Sequence, residues 1–260
     1  MRSRYTFVMS TFLLFVALSA TNVFAVTITP VKMEITCQPG EQTAVYYDAY
    51  NKSAESIGVN VSARTWYSLP ENLKFAIGDW LTITPQEFVL GPGEHIQVEC
   101  NVFVPERAKG ELVAMISFVP ESTPGSMINI AQSVSLYVAI KGTAKREARI
   151  TDMIIRWDKK AIRTAVTVFN SGNIHLRPEG EVLIIRGRKE IVRLPLKSGW
   201  PVYPEREQAY FADWEEPELS KGKYILKCRV DCGDGIILAA KRKFRIGKDH
   251  GIELYPMELR

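Results

Sequence analysis

Two tandem immunoglobulin-like β-sandwiches, an all-β fold, is the class this chain predicts, and three observations carry that expectation. Runs with apolar residues at alternate positions recur along most of the sequence, the pattern of half-buried strands. Turn chemistry built on Pro and Gly separates these runs at short intervals. Once a leader is set aside, 235 of the 260 residues remain, which suits two domains of roughly 100–120 residues each.

The leader is residues 1–25, read as a signal peptide. Arg2 and Arg4 precede an apolar stretch at 7–20, and Val23-Phe24-Ala25 ends on the small residue expected at a cleavage site. That stretch is shorter than the roughly 18–20 residues a membrane span needs, and no later segment approaches the length. The processed chain is therefore expected without an integral membrane segment, in a periplasm or secreted.

Residues 26–142 read as the first sandwich, with extended runs at 27–37, 43–50, 59–67, 80–90, 96–104, 112–119 and 128–140. The turns at 38–41 and 91–94 share Pro-Gly-Glu, where Pro presets φ and Gly takes the positive φ that closes the turn. A small, charged stretch follows, with a linker at 143–148. Residues 149–248 repeat the pattern, with runs at 150–157, 162–170, 180–186, 190–196, 208–214, 224–231 and 236–246. Parity puts Ile162, Val166 and Val168 inside with Arg163 and Thr167 outside; in the last run Phe244 and Ile246 face in while Lys243 and Arg245 face water. The tail at 249–260 is broken by Pro256 and is expected as a loosely packed terminus, an extra edge strand being the alternative.

The formal charge of +4 falls to +2 without Arg2 and Arg4, too little for a typical nucleic-acid binder. Lys241-Arg242-Lys243 with Arg245, and Arg186 with Arg188 and Lys189, read as solvated strand faces and a turn. Export permits disulfides between the four cysteines. Cys37 and Cys100 point into the same core, which leaves open a bridge closing about 64 residues or two buried free thiols. Cys228 and Cys232 stand about 13 Å apart along a strand, too far to bridge unless the chain turns between them, and Cys228 reads as a core thiol.

Nothing in the sequence assembles a catalytic cluster. The three histidines, His95, His175 and His250, have no partner at a metal-ligand spacing, and no H-E-x-x-H, G-x-S-x-G or phosphate-cradling loop is present. The segment 231–235 lacks the alternating oxygen ligands of a calcium loop and reads as a hairpin turn. The expectation is a non-enzymatic protein with no cofactor and no metal.

Three stretches carry a resemblance. They are the opening strand Ile28–Ile35 with the turn after it, the segment from Trp80 to Glu94, and a long final strand from Met127 to Ile140 followed by Lys141-Gly142. Over residues 26–142 the chain resembles the PapD-like periplasmic pilus-assembly chaperones, and the second domain is similar only as a generic immunoglobulin-like sandwich. The resemblance implies donation of the final strand to an incomplete partner sandwich, through β-augmentation. It implies partner contacts at Ile128, Ile130, Val134 and Leu136, with Lys32 as one of two cleft cations that anchor the partner's terminal carboxylate. The chain departs from that pattern twice. Gln132 stands where the next apolar side chain belongs, and Tyr137 replaces the second cation. The expected partner is a protein, a surface or pilin-like subunit; the alternative is an adhesive envelope module that binds a surface protein or wall polymer.

Overall fold

A computed structural model describes residues 26–121, 130–197 and 199–259. The leader and Ile128 lie outside the described residues. The first sandwich contains β1 (Val26–Thr29), β2 (Lys32–Cys37), β3 (Gln42–Asn51), β4 (Ile57–Tyr67), β5 (Leu81–Thr84), β6 (Glu87–Leu90), β7 (His95–Phe103), β8 (Glu111–Pro120) and β9 (Gln132–Ile140). The second contains β10 (Ala148–Asp158), β11 (Ala161–Asn170), β12 (Glu179–Arg186), β13 (Lys189–Pro195), β14 (Glu207–Glu215), β15 (Gly222–Asp231), β16 (Ile237–Ile246) and β17 (Ile252–Leu259).

In the first sandwich a sheet ordered β1-β3-β7-β5 faces one ordered β2-β9-β8-β4-β6; in the second, β10-β11-β14 faces β13-β12-β15-β16-β17. All pairings are antiparallel except β2 with β9. Each sandwich has its own core. Tyr47, Ile116, Phe118 and Leu136 are fully buried in the first, and Met153, Ile162, Ile184 and Phe244 in the second. Alternation along the strands creates both cores, because every second side chain points between the sheets.

Prolines account for two departures from the expected strands. The run at 27–37 divides at Pro30, and its halves join opposite sheets as β1 and β2. The run at 80–90 becomes a helical turn (Ile77–Trp80), then β5 and β6 on either side of Pro85. Proline has no N–H for the ladder, so the chain leaves one sheet there and enters the other.

One expectation is corrected. The tail is an edge strand, not a loose terminus: β17 pairs with β16 while Ile252, Leu254 and Met257 pack on the second core. A register shift between Arg242 and Phe244 accommodates its irregular course. Cys37 and Cys100 are buried free thiols, as are Cys228 and Cys232. Burial pushes the Cys100 thiol up to about 12.

Candidate functional site

A cleft of about 390 Å³ lies where the two sandwiches meet, with Glu34, Glu111 and Tyr137 on one wall and His175 and Arg177 on the other. The parallel register of β2 and β9 sets Lys32 beside Ser135 and Glu34 beside Tyr137 on one face of the sheet, and Glu34 and Tyr137 reach the cleft. Glu34 is the hub. Lys32 Nζ lies 2.8 Å from its Oε1, Arg177 Nε–H donates to the same oxygen at 3.1 Å, and His175 Nε2 is 3.3 Å away. Partial burial pushes the Glu34 carboxyl upward, but the hydrogen bonds from Lys32 and Arg177 and the nearby imidazole outweigh it and bring the group down to about 2.

Deeper in, Glu111 begins an otherwise apolar strand and is only 2% exposed. Its carboxylate meets His175 Nδ1 at 2.6 Å and accepts the His175 backbone N–H at 3.2 Å. The His175 ring lies against Tyr137, with centroids 4.0 Å apart. The hydroxyls of Tyr137 and Tyr203 stand 3.0 Å apart, and Trp66 Nε1–H donates to Tyr203 Oη at 2.8 Å. The Arg177 guanidinium sits over the Tyr137 ring at 5.5 Å and donates to the Gly199 carbonyl at 3.2 Å. A cation from the second sandwich thus lies over the ring at position 137.

Next to the cleft, β9 has an incomplete outer edge. β2 pairs with it only from Ser135 to Ile140, because β1 departs for the other sheet, and Gln132–Val134 have no strand on that side among the described residues. Gln132 does not project toward a partner. Its amide closes on β1, accepting Ile28 N–H at 3.0 Å and donating to the Ile28 carbonyl at 3.2 Å, a side-chain substitute for a ladder rung.

The residues expected to contact a partner therefore separate. Lys32 is ion-paired with Glu34, which lines the cleft, and Ile130 is 57% exposed just before β9. Val134 and Leu136 are wholly buried in this chain's own core, so their side chains are not available to a partner. They share parity with Val138 and Ile140, and the opposing sheet covers all four. Sequence reasoning missed Glu34, Glu111, His175 and Arg177 as a group. The one local sign was a carboxylate opening the apolar run at 112–119; the other three lie far from it along the chain.

Among the described residues no cluster of His, Cys, Asp or Glu could hold a metal ion, and no helix is long and apolar enough to cross a membrane. No protein-family model matches the chain, and no curated protein does. Solved structures similar to it include the Pseudomonas aeruginosa CupB2 chaperone, at 11% identity and a TM-score of 0.45 over 90% of this chain and 99% of that one. A chain of the Salmonella enterica SafA pilin–SafB chaperone complex matches at 12% identity and 0.44, over 93% and 98%. The E. coli chaperone DraB matches at 13% and 0.42, over 81% and 94%. The likeness is one of strand arrangement and transfers no residue's role.

Proposed function

We propose that the processed chain is an exported, non-enzymatic envelope protein, periplasmic or secreted, that works by protein–protein contact. It takes an extended segment of a partner polypeptide along the open edge of β9, in the manner of a pilus chaperone. The observation that carries this reading is the register of β2, which leaves Gln132–Val134 without a neighbour strand among the described residues, immediately beside a cation-bearing cleft. Unpaired N–H and C=O groups on such an edge supply affinity, and exposed alternate side chains supply selectivity. Ile130 provides the apolar contact within the described residues, with Ile128 continuing it in sequence. Val134 and Leu136 hold the strand rigid from inside.

Lys32 and Arg177 flank Glu34, so a partner's terminal carboxylate entering the cleft exchanges with Glu34 for those two cations. A photo-reactive side chain at position 130 in the processed chain tests the proposal directly. It should crosslink a partner in the envelope, whereas the same probe at exposed Ile237 should not. Ile130→Asp and Lys32→Glu should each cut capture at least tenfold with unchanged melting temperature. Equal capture by these variants sinks the edge-pairing mechanism.

A further inference from the structure

His175 stands between two carboxylates, and a neutral imidazole can satisfy only one of them. Nδ1 meets Glu111 Oε1 at 2.6 Å and Nε2 meets Glu34 Oε1 at 3.3 Å. A neutral ring carries one N–H and one lone pair. The short contact to buried Glu111 places the N–H on Nδ1, which turns the Nε2 lone pair toward Glu34. Glu34 Oε1 tolerates that lone pair because Lys32 Nζ at 2.8 Å and Arg177 Nε–H at 3.1 Å serve it instead. With the imidazole neutral, the formal charges of Lys32, Arg177, Glu34 and Glu111 sum to zero.

Among the described residues no further donor reaches Glu34. The Tyr137 ring packs on the imidazole while its hydroxyl meets that of Tyr203. Arg146, which lines the same cleft, is paired with Asp234 at 2.7 Å, and Cys232 on the cleft wall is a buried thiol. A ligand carboxylate that takes Lys32 and Arg177 therefore leaves Glu34 with His175 Nε2 alone. Nε2 can donate only after it accepts a proton, which an imidazole does near neutral pH. The incoming carboxylate also brings the cluster to a net charge of minus one, and that proton restores neutrality.

We infer that carboxylate capture in this cleft is coupled to the uptake of one proton at His175 Nε2. The coupling rests on the cleft seating a partner's terminal carboxylate, and it is tested apart from the β9 edge. The proton comes from solvent and only an N–H bond forms, so the bound state carries one proton more and binding tightens as pH falls. The test uses the processed chain from Val26 onward with isotope-labelled histidine, and N-acetylglycine as the stand-in for a polypeptide C-terminus. At neutral pH N-acetylglycine should move the His175 Nε2 NMR signal, assigned by its loss in His175→Asn, from the bare to the protonated position. N-acetylglycinamide should not, nor should sodium chloride at matched ionic strength. Affinity for N-acetylglycine should rise by up to about tenfold per pH unit between about pH 8 and about pH 6. Glu34→Gln offers an amide N–H to the Nε2 lone pair, so its affinity should be flat over the same range. A free chain already protonated at Nε2 overturns the coupling, as does a Glu34→Gln variant with the parent's pH slope. Binding itself is read from the N-acetylglycine methyl signal. A ligand that binds without moving Nε2 sinks the coupling alone, and one that does not bind sinks the carboxylate seat with it. Crosslinking from position 130 that persists beside either result leaves strand pairing standing.

Discussion

Each sandwich hangs a connecting loop on one buried asparagine at the end of a strand. Asn51 closes β3: its Nδ2 donates to the carbonyls of Glu55, Leu90 and Gly91, and its Oδ1 accepts from Ser53 N–H. Asn170 closes β11 in the same way, donating to Ile174 and Val202 at 2.8 and 2.9 Å and accepting from Gly172 N–H at 2.9 Å. Asn170→Ala strips the Ile174 carbonyl of its donor and takes one of two bonds from the Val202 carbonyl and the Gly172 N–H, which keep Leu176 and Glu147, so it should cost about 1–3 kcal/mol in urea unfolding. Asn170→Asp, equal in size but without the donors, should be no milder. Glu34 makes a pH-dependent contribution of a different kind. Its folded carboxyl titrates near 2, below its ordinary 4.5, so its stabilisation is complete above about pH 4.5 and disappears as pH falls toward 2. The side chain is partly exposed, which screens the effect to the order of 1 kcal/mol. Glu34→Gln should flatten that part of the acid limb in urea midpoints taken at pH 3 and pH 7. An acid limb as steep as the parent's in Glu34→Gln would place the dependence elsewhere.

At the scale of elements, β9 shows what alternation can and cannot disclose. Its parity was readable from Val134, Leu136, Val138 and Ile140, and so was the turn chemistry that separates most other strands. Which half of the strand serves its own core was not readable, because that depends on where β2 begins to pair. Likewise the run at 27–37 has one unbroken strand pattern, yet Pro30 sends its halves to different sheets. The cleft was illegible for a related reason: Glu34, Glu111 and His175 meet only through long-range packing, and no spacing rule joins positions so far apart. Gln132 carries the sharpest lesson. Read as a polar flaw in a donated strand, it proves to be the bond that ties β9 to β1 across the strand switch. Gln132→Ala leaves the Ile28 N–H and C=O unpaired in a partly buried site and should cost about 1–3 kcal/mol. Hydrogen exchange should speed up at Ile28 and leave Ile83, on the far edge strand of the same sheet, unchanged. Unchanged exchange at Ile28 would mean water replaces the glutamine amide without loss.

The molecule as a whole depends on how the two sandwiches are held at the cleft. Hydrogen bonds cross between them at several heights: Trp66 to Tyr203, Tyr67 to the Pro204 carbonyl at 3.1 Å, Arg177 to Glu34, and His175 to Glu111. Backbones also approach closely. Gly110 has φ of 65°, and a Cβ there would collide with the Asn173 carbonyl from the second sandwich. Within this junction His175 has a distinct place, because it alone joins the buried Glu111 to the half-exposed Glu34. Its two contacts can be separated. Asparagine at 175 sets an amide N–H where Nδ1 stands, preserving the bond to Glu111 while giving up Glu34; alanine gives up both. A buried carboxylate stripped of its partner is costly, whereas a half-exposed one is rehydrated. His175→Ala should therefore destabilise by about 2–4 kcal/mol and open the 141–147 connection to limited proteolysis, while His175→Asn should cost under about 1 kcal/mol and remain resistant. If the two variants behave alike, the junction is held by the aromatic contacts around Tyr137 and Tyr203, and the His175–Glu111 bond is incidental to it.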